Sequence, residues 1–106
     1  MNRFEFEPLV TSLPIAGRAS RMPVRRVFCV GRNYAAHARE MGKDPAAEPP
    51  FFFMKPPDAV VESGSVVPYP PQTRNLHHEI ELVVCIGRGG ADIAPGTARE
   101  HILGYA

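Results

Sequence analysis

The stretch that decides the fold reads NLHHEIELVVCI, residues 75–86. From residue 77 to residue 86, apolar residues recur at every second position, which predicts a β-strand. Successive side chains of a strand point to opposite faces, so Ile80 and Leu82 share one face while Glu79 and Glu81 share the other. We expect the apolar face to pack against the core of a sheet.

The two glutamates stand about 7 Å apart along such a strand and point the same way. Their charges repel unless a cation neutralises them, and a hard divalent ion such as Mg²⁺ or Mn²⁺ prefers oxygen ligands of this kind. The alternative is a solvated strand face, because exposed alternating glutamates are common in antiparallel sheets. The spacing of Glu79 and Glu81 leaves both interpretations open.

On both sides of this stretch, the sequence predicts further short strands and turns. Apolar runs at residues 26–30 and 51–54 predict two strands, the first stopped by a glycine and the second by two prolines. A third short strand is predicted at residues 59–61, and residues 69–73 predict an extended connector. The glycines at 87–90 favour a hairpin turn over a phosphate-binding loop, because no Lys-Ser/Thr pair follows them.

A short helix is predicted over residues 33–42, with Asn33 as its N-cap and Gly42 as its C-terminal cap. On this helix His37 and Glu40 share a face, so the carboxylate can orient the imidazole and the pair could deprotonate a water molecule. An ordinary surface charge pair has the same spacing. The sequence alone does not decide between them.

Arg32 and Lys55 each follow an apolar strand, where a cation can hold a substrate carboxylate. The alternative is that both are ordinary solvated side chains at the ends of strands. Cys29 and Cys85 lie inside apolar runs without metal-ligand spacing, and we expect buried, reduced thiols.

Composition excludes several classes of protein. The 106 residues carry 12 Lys+Arg against 11 Asp+Glu, a balance that indicates neither nucleic acid nor an anionic membrane as partner. No apolar run approaches the roughly 20 residues of a spanning helix, and the N-terminus is unlike a signal peptide. The expectation is one domain in the cytoplasm.

Three runs resemble the fumarylacetoacetate hydrolase superfamily in order and spacing: FCVGRNYAAHAREM (28–41), FFMKP (52–56) and NLHHEIEL (75–82). Within that superfamily, EPPFFF (48–53) and VPYPP (67–71) look most like bacterial fumarylpyruvate and related acylpyruvate hydrolases. The resemblance implies an α+β, strand-rich fold, here the N-terminal portion of a mixed β-roll. Residues 1–24 would form an N-terminal arm and residues 25–106 the N-terminal part of the hydrolase domain.

The resemblance also implies a site. Family members bind Mg²⁺ or Mn²⁺ through two strand glutamates, matched by Glu79 and Glu81, and through an aspartate expected a few residues beyond Ala106. The sequence is therefore expected to be truncated before its third metal ligand. His37 and Glu40 match the catalytic dyad of the family, on a segment that tends to order over bound substrate. A homodimer is the implied assembly.

Arg32 and Lys55 match positions that support the substrate, and the implied reaction is hydrolysis of a C–C bond in a 2,4-dioxo acid such as fumarylpyruvate. Pyruvate and a carboxylic acid would be the products. Two alternatives remain at this point. The chain could be catalytically incomplete and act only by association, or it could be an isomerase or decarboxylase of related oxo acids.

Overall fold

The computed structural model describes residues 3–31 and 49–106, and within them it is rich in strands, as predicted. The chain divides into two compact units, Met1–Val66 and Val67–Ala106. Among the described residues, no helix has the length and the apolar character that a membrane crossing requires.

The first unit contains a small hairpin of β1 (Ser12–Pro14) and β2 (Arg21–Pro23), paired antiparallel. The N–H of Arg18 donates to the carbonyl oxygen of Ile15 at 3.1 Å and closes the turn. Gly17 takes a φ of 74° there, a conformation that costs glycine little. The expected N-terminal arm therefore contains a hairpin, and its boundary at residue 24 stays a prediction.

Arg21 connects this hairpin to a distant part of the first unit. Its Nε donates to the Ser12 hydroxyl at 2.9 Å, and its Nη2 forms an ion pair with Glu62. Both charged side chains are about half exposed, so solvent screens the pair and its contribution to stability is small.

The strands β3 (Val27–Gly31) and β4 (Phe51–Lys55) pair antiparallel and confirm the two strands predicted here. Gly31 lies opposite Phe51, whose ring occupies the space that a β-carbon at position 31 would need. Aromatic and branched apolar side chains fill both faces of this ribbon, since adjacent residues of each strand are apolar. Strands of this composition are typical of positions covered on both sides.

The strand predicted at residues 59–61 is wrong. Pro57–Ala59 instead form a 3-10 helix, in which the N–H of Val60 donates to the carbonyl oxygen of Pro57 at 3.1 Å. Proline at the first helical position has its φ already set for a turn and lacks an N–H to donate to a ladder, so the chain turns where the apolar residues suggest a strand.

The second unit is built around β5 (Val84–Ile86) and β6 (Ile102–Tyr105), which pair antiparallel and are linked through a 3-10 helix, Pro95–His101. Cys85 pairs with Gly104 and Ile86 with Ile102, so Leu103 between them forms a β-bulge. The ladder continues one pair beyond the strand ends. Val83 and Ala106 exchange both backbone hydrogen bonds, at 2.9 and 3.0 Å.

The strand predicted at residues 77–86 is correct only for its last three residues. Residues 77–83 have the alternating pattern of a strand but are assigned to no strand. A strand needs a partner for its backbone, and within the described residues β6 supplies one only from Val83 onward. Within the described residues the expected core face is not covered, since Ile80 is 93% and Leu82 66% exposed.

Among the described residues, no side chain is fully buried, and many large apolar side chains are exposed. Phe52, on β4, is 66% exposed. Cys29 and Cys85 are free thiols, as expected, but they are partly exposed rather than buried. These residues therefore show strand pairing without a closed hydrophobic core.

Candidate metal and substrate site

The two glutamates of the expected metal site lie in the second unit, in the segment that leads into β5. Glu79 and Glu81 are both exposed, and neither forms a hydrogen bond or an ion pair with another residue of 3–31 and 49–106. Their carboxylate oxygens are therefore available to a cation. Hydrogen bonds hold the backbone of this segment at both of its ends.

At its C-terminal end, the segment joins the β5–β6 ladder. The paired hydrogen bonds between Val83 and Ala106 hold the backbone two residues after Glu81. This pair is of the type in which two opposed residues exchange both hydrogen bonds. The ladder therefore fixes the backbone position of Val83, from which the chain runs back through Glu81 to Glu79.

At its N-terminal end, the segment follows a set of side-chain hydrogen bonds. The N–H of Leu76 donates to the Tyr69 hydroxyl oxygen at 3.2 Å, and the N–H of Asn75 donates to the Thr73 hydroxyl at 3.1 Å. His77 Nε2 lies 2.7 Å from Asn75 Oδ1. Since an amide oxygen only accepts, His77 Nε2 is the donor in that contact.

We call residues 69–77 the Tyr69 loop. The extended connector predicted at residues 69–73 is wrong at its end, because residues 71 and 72 form a turn. Sequence reasoning also missed the role of the Tyr69 hydroxyl. The available signal was composition, since two prolines followed by Thr73 and Asn75 are typical of a turn with side-chain to backbone bonds.

Lys55 is the last residue of β4, opposite Val27, as the sequence predicts for a strand end. Its side chain is exposed and forms no ion pair with the other residues described. It belongs to the first unit, whereas Glu79 and Glu81 belong to the second. Arg32, His37 and Glu40, together with the predicted helix at 33–42, lie outside the described residues.

The donor set fits the type of cation expected from the sequence. Glu79 and Glu81 offer carboxylate oxygens, which Mg²⁺ and Mn²⁺ prefer. No group of three or more His, Cys, Asp or Glu side chains comes together within residues 3–31 and 49–106. Two carboxylates leave coordination positions of such an ion open for water, substrate or a further ligand.

A fumarylpyruvate hydrolase from Pseudomonas aeruginosa, crystallised in complex with Mn²⁺ and pyruvate, has a closely similar fold. It is 58% identical, and the match covers 97% of this chain and 46% of that chain with a TM-score of 0.88. A solved chain from Burkholderia cenocepacia is 48% identical over 98% of this chain and 44% of its own, with a TM-score of 0.82. The similarity confirms the predicted fold class, and the bound Mn²⁺ agrees with the divalent cation expected for the family.

Among curated proteins, the mitochondrial oxaloacetate tautomerase FAHD1 of Bos taurus is 44% identical over 82 residues, which are 77% of this chain and 37% of the relative. The chain thus spans about a third of this relative's length and under half of the two solved chains. The family model described as fumarylacetoacetate (FAA) hydrolase C-terminal matches residues 26–106. The chain belongs to the fumarylacetoacetate hydrolase family, as its sequence motifs predict.

Proposed function

We propose that the protein is a divalent-metal-dependent hydrolase that cleaves a C–C bond of a 2,4-dioxo acid, fumarylpyruvate or another acylpyruvate, to pyruvate and a carboxylic acid. The extent of the similarity carries this proposal. The Pseudomonas aeruginosa fumarylpyruvate hydrolase matches 97% of the chain, whereas the bovine tautomerase matches 82 residues at lower identity. Residues 1–25 precede the part that the family model matches.

In this proposal Glu79 and Glu81 hold the cation, Mg²⁺ or Mn²⁺. When bound, it supplies positive charge for the carboxylate and 2-oxo oxygens of the substrate and for the enolate charge that develops during cleavage. The third ligand is the aspartate expected beyond Ala106. The Val83–Ala106 register supports this, because a continued β6 would set the second residue beyond Ala106 opposite Glu81 and the fourth opposite Glu79.

His37 acts as the general base and Glu40 orients its imidazole. His37 takes a proton from water while the water oxygen bonds to the distal carbonyl carbon. The C–C bond then breaks, its electron pair passes to the pyruvate enolate, and the attacked carbon, now bearing the water oxygen, leaves as the carboxylic acid. The proton that His37 took from water passes to the enolate carbon and completes pyruvate. Arg32 and Lys55 are assigned to the negatively charged groups of the substrate, because both can bind carboxylates.

The products of the purified protein test the reaction. With Mn²⁺ and fumarylpyruvate, we expect one pyruvate and one fumarate for each substrate consumed, measured by chromatography with mass detection. A related isomerase would give a product of unchanged mass, and a decarboxylase would release CO₂. Interconversion of the keto and enol forms of oxaloacetate without formation of pyruvate would favour tautomerase activity and contradict the hydrolase proposal.

A cytoplasmic homodimer is part of the proposal. The resemblance to the family implies this assembly. We expect twice the mass of the single chain by light scattering after size exclusion. A broad distribution of masses without hydrolase activity would instead favour the alternative of an incomplete chain that acts only by association.

A further inference from the structure

We propose that Tyr69 is a positioning residue for the metal site. By accepting the N–H of Leu76, its hydroxyl oxygen fixes the start of the segment that carries Glu79 and Glu81. The inference rests on the proposed function, because it concerns the divalent cation that we assign to these two carboxylates.

The segment between the Tyr69 loop and β5 is held by hydrogen bonds at both of its ends. Residues 78–82 belong to no helix and no strand, and Glu79 and Glu81 are exposed without partners among the described residues. The Val83–Ala106 pair holds one end and the Leu76–Tyr69 hydrogen bond holds the other. The two glutamates lie between these two anchors.

The Tyr69 end is reinforced within the loop itself. His77 Nε2 donates to Asn75 Oδ1 at 2.7 Å, so the residue that follows Leu76 is held as well. Two prolines directly after Tyr69 restrict the backbone and lower the entropy that the loop loses on ordering. The loop therefore presents a defined backbone position immediately before the carboxylates.

Preorganisation of this segment has a direct effect on cation binding. Both carboxylates must point to the same ion against their mutual repulsion, and an unanchored segment would have to lose backbone freedom at the moment of binding. A hydrogen bond that fixes the segment in advance removes part of that cost. Loss of the bond should therefore weaken the cation affinity while the ligands themselves are unchanged.

The test is Tyr69→Phe, which keeps the ring and removes the accepting oxygen. We expect its Mn²⁺ dissociation constant to rise about two- to tenfold, the effect of one hydrogen bond, as measured by water-proton relaxation. Amide exchange of Leu76 should become faster. Tyr105→Phe is the matched control, since Tyr105 lies in β6 of the same unit and its hydroxyl has no hydrogen bond with a described residue.

A second pair of variants separates positioning from general stability. Asn75→Ala should also weaken Mn²⁺ binding, and Asn75→Asp, which keeps the accepting oxygen, should restore it. A merely structural role would lower the melting temperature of the variants and leave Mn²⁺ affinity below that temperature unchanged, and this result overturns the inference. Should Tyr69→Phe not fold, the Asn75 pair decides in the same way.

Mn²⁺ binding by the unaltered protein distinguishes failure of the proposed function from failure of the Tyr69 inference alone. If the unaltered protein binds no Mn²⁺, the proposed metal site and this inference fall together. If it binds Mn²⁺ and Tyr69→Phe binds it equally well, only the inference falls.

Discussion

Replacement of Glu81 by glutamine is expected to weaken Mn²⁺ binding by at least about 100-fold, since loss of a group that hydrogen-bonds directly to a metal ligand alone already costs about 10- to 100-fold. The amide oxygen of glutamine lacks the negative charge that a hard cation prefers, while the side chain keeps its length. Hydrolysis of the dioxo acid should fall to the background rate at micromolar Mn²⁺. A Mn²⁺ titration followed by water-proton relaxation measures the affinity.

Glu100→Gln is the matched control for this change. Glu100 lies in the second 3-10 helix of the same unit and is exposed, so its replacement changes the net charge of the protein equally. We expect its Mn²⁺ affinity to stay within about twofold of the unaltered protein, because surface charges act weakly over a distance in salt. Equal affinities for Glu81→Gln and Glu100→Gln would contradict the assignment of the cation to Glu81.

Replacement of His37 by alanine is expected to lower kcat by about 10²- to 10⁴-fold, the usual contribution of a general base. Mn²⁺ affinity should not change, since the proposal gives the cation to the glutamates and only the proton transfer to His37. Steady-state kinetics with fumarylpyruvate at saturating Mn²⁺ checks the rate. Hydrolysis that persists at the original rate would show that another group activates the water.

Glu40 provides the internal comparison for His37. Glu40→Gln should reduce kcat less than His37→Ala, because it removes only the group that orients the imidazole. The double variant should be no slower than His37→Ala, since residues that act as a unit are strongly non-additive. Additive losses would instead assign Glu40 a role independent of His37.

The sequence predicts best those elements whose signal is local. The runs that form β3 and β4 are short, rich in branched and aromatic residues, and ended by a glycine or by prolines. Their composition and the residues that end them therefore predict the same strands. The family assignment follows from three motifs in the right order and agrees with the comparisons. The roles of Glu79, Glu81, Lys55, Arg32, His37 and Glu40 stay predictions.

Other features depend on information that periodicity does not contain. The alternation at residues 77–86 indicates a strand, but it does not indicate where the partner backbone begins, and in this structure the ladder starts at Val83. Bonds such as Leu76 to Tyr69 join a backbone N–H to a hydroxyl seven residues away and follow no period. The turn at Pro57 was missed because apolar residues after it resemble a strand.

Around the β5–β6 pair, the connection between the strands and the ladder itself differ in their tolerance of length changes during evolution. Residues 88–100 connect the strands outside the ladder, so insertions there leave the pairing of β5 with β6 intact. A single insertion or deletion between Gly104 and Ala106 would shift the register by one residue and turn every following side chain to the opposite face. Homologues should therefore vary in length more within residues 88–100 than within residues 102–106.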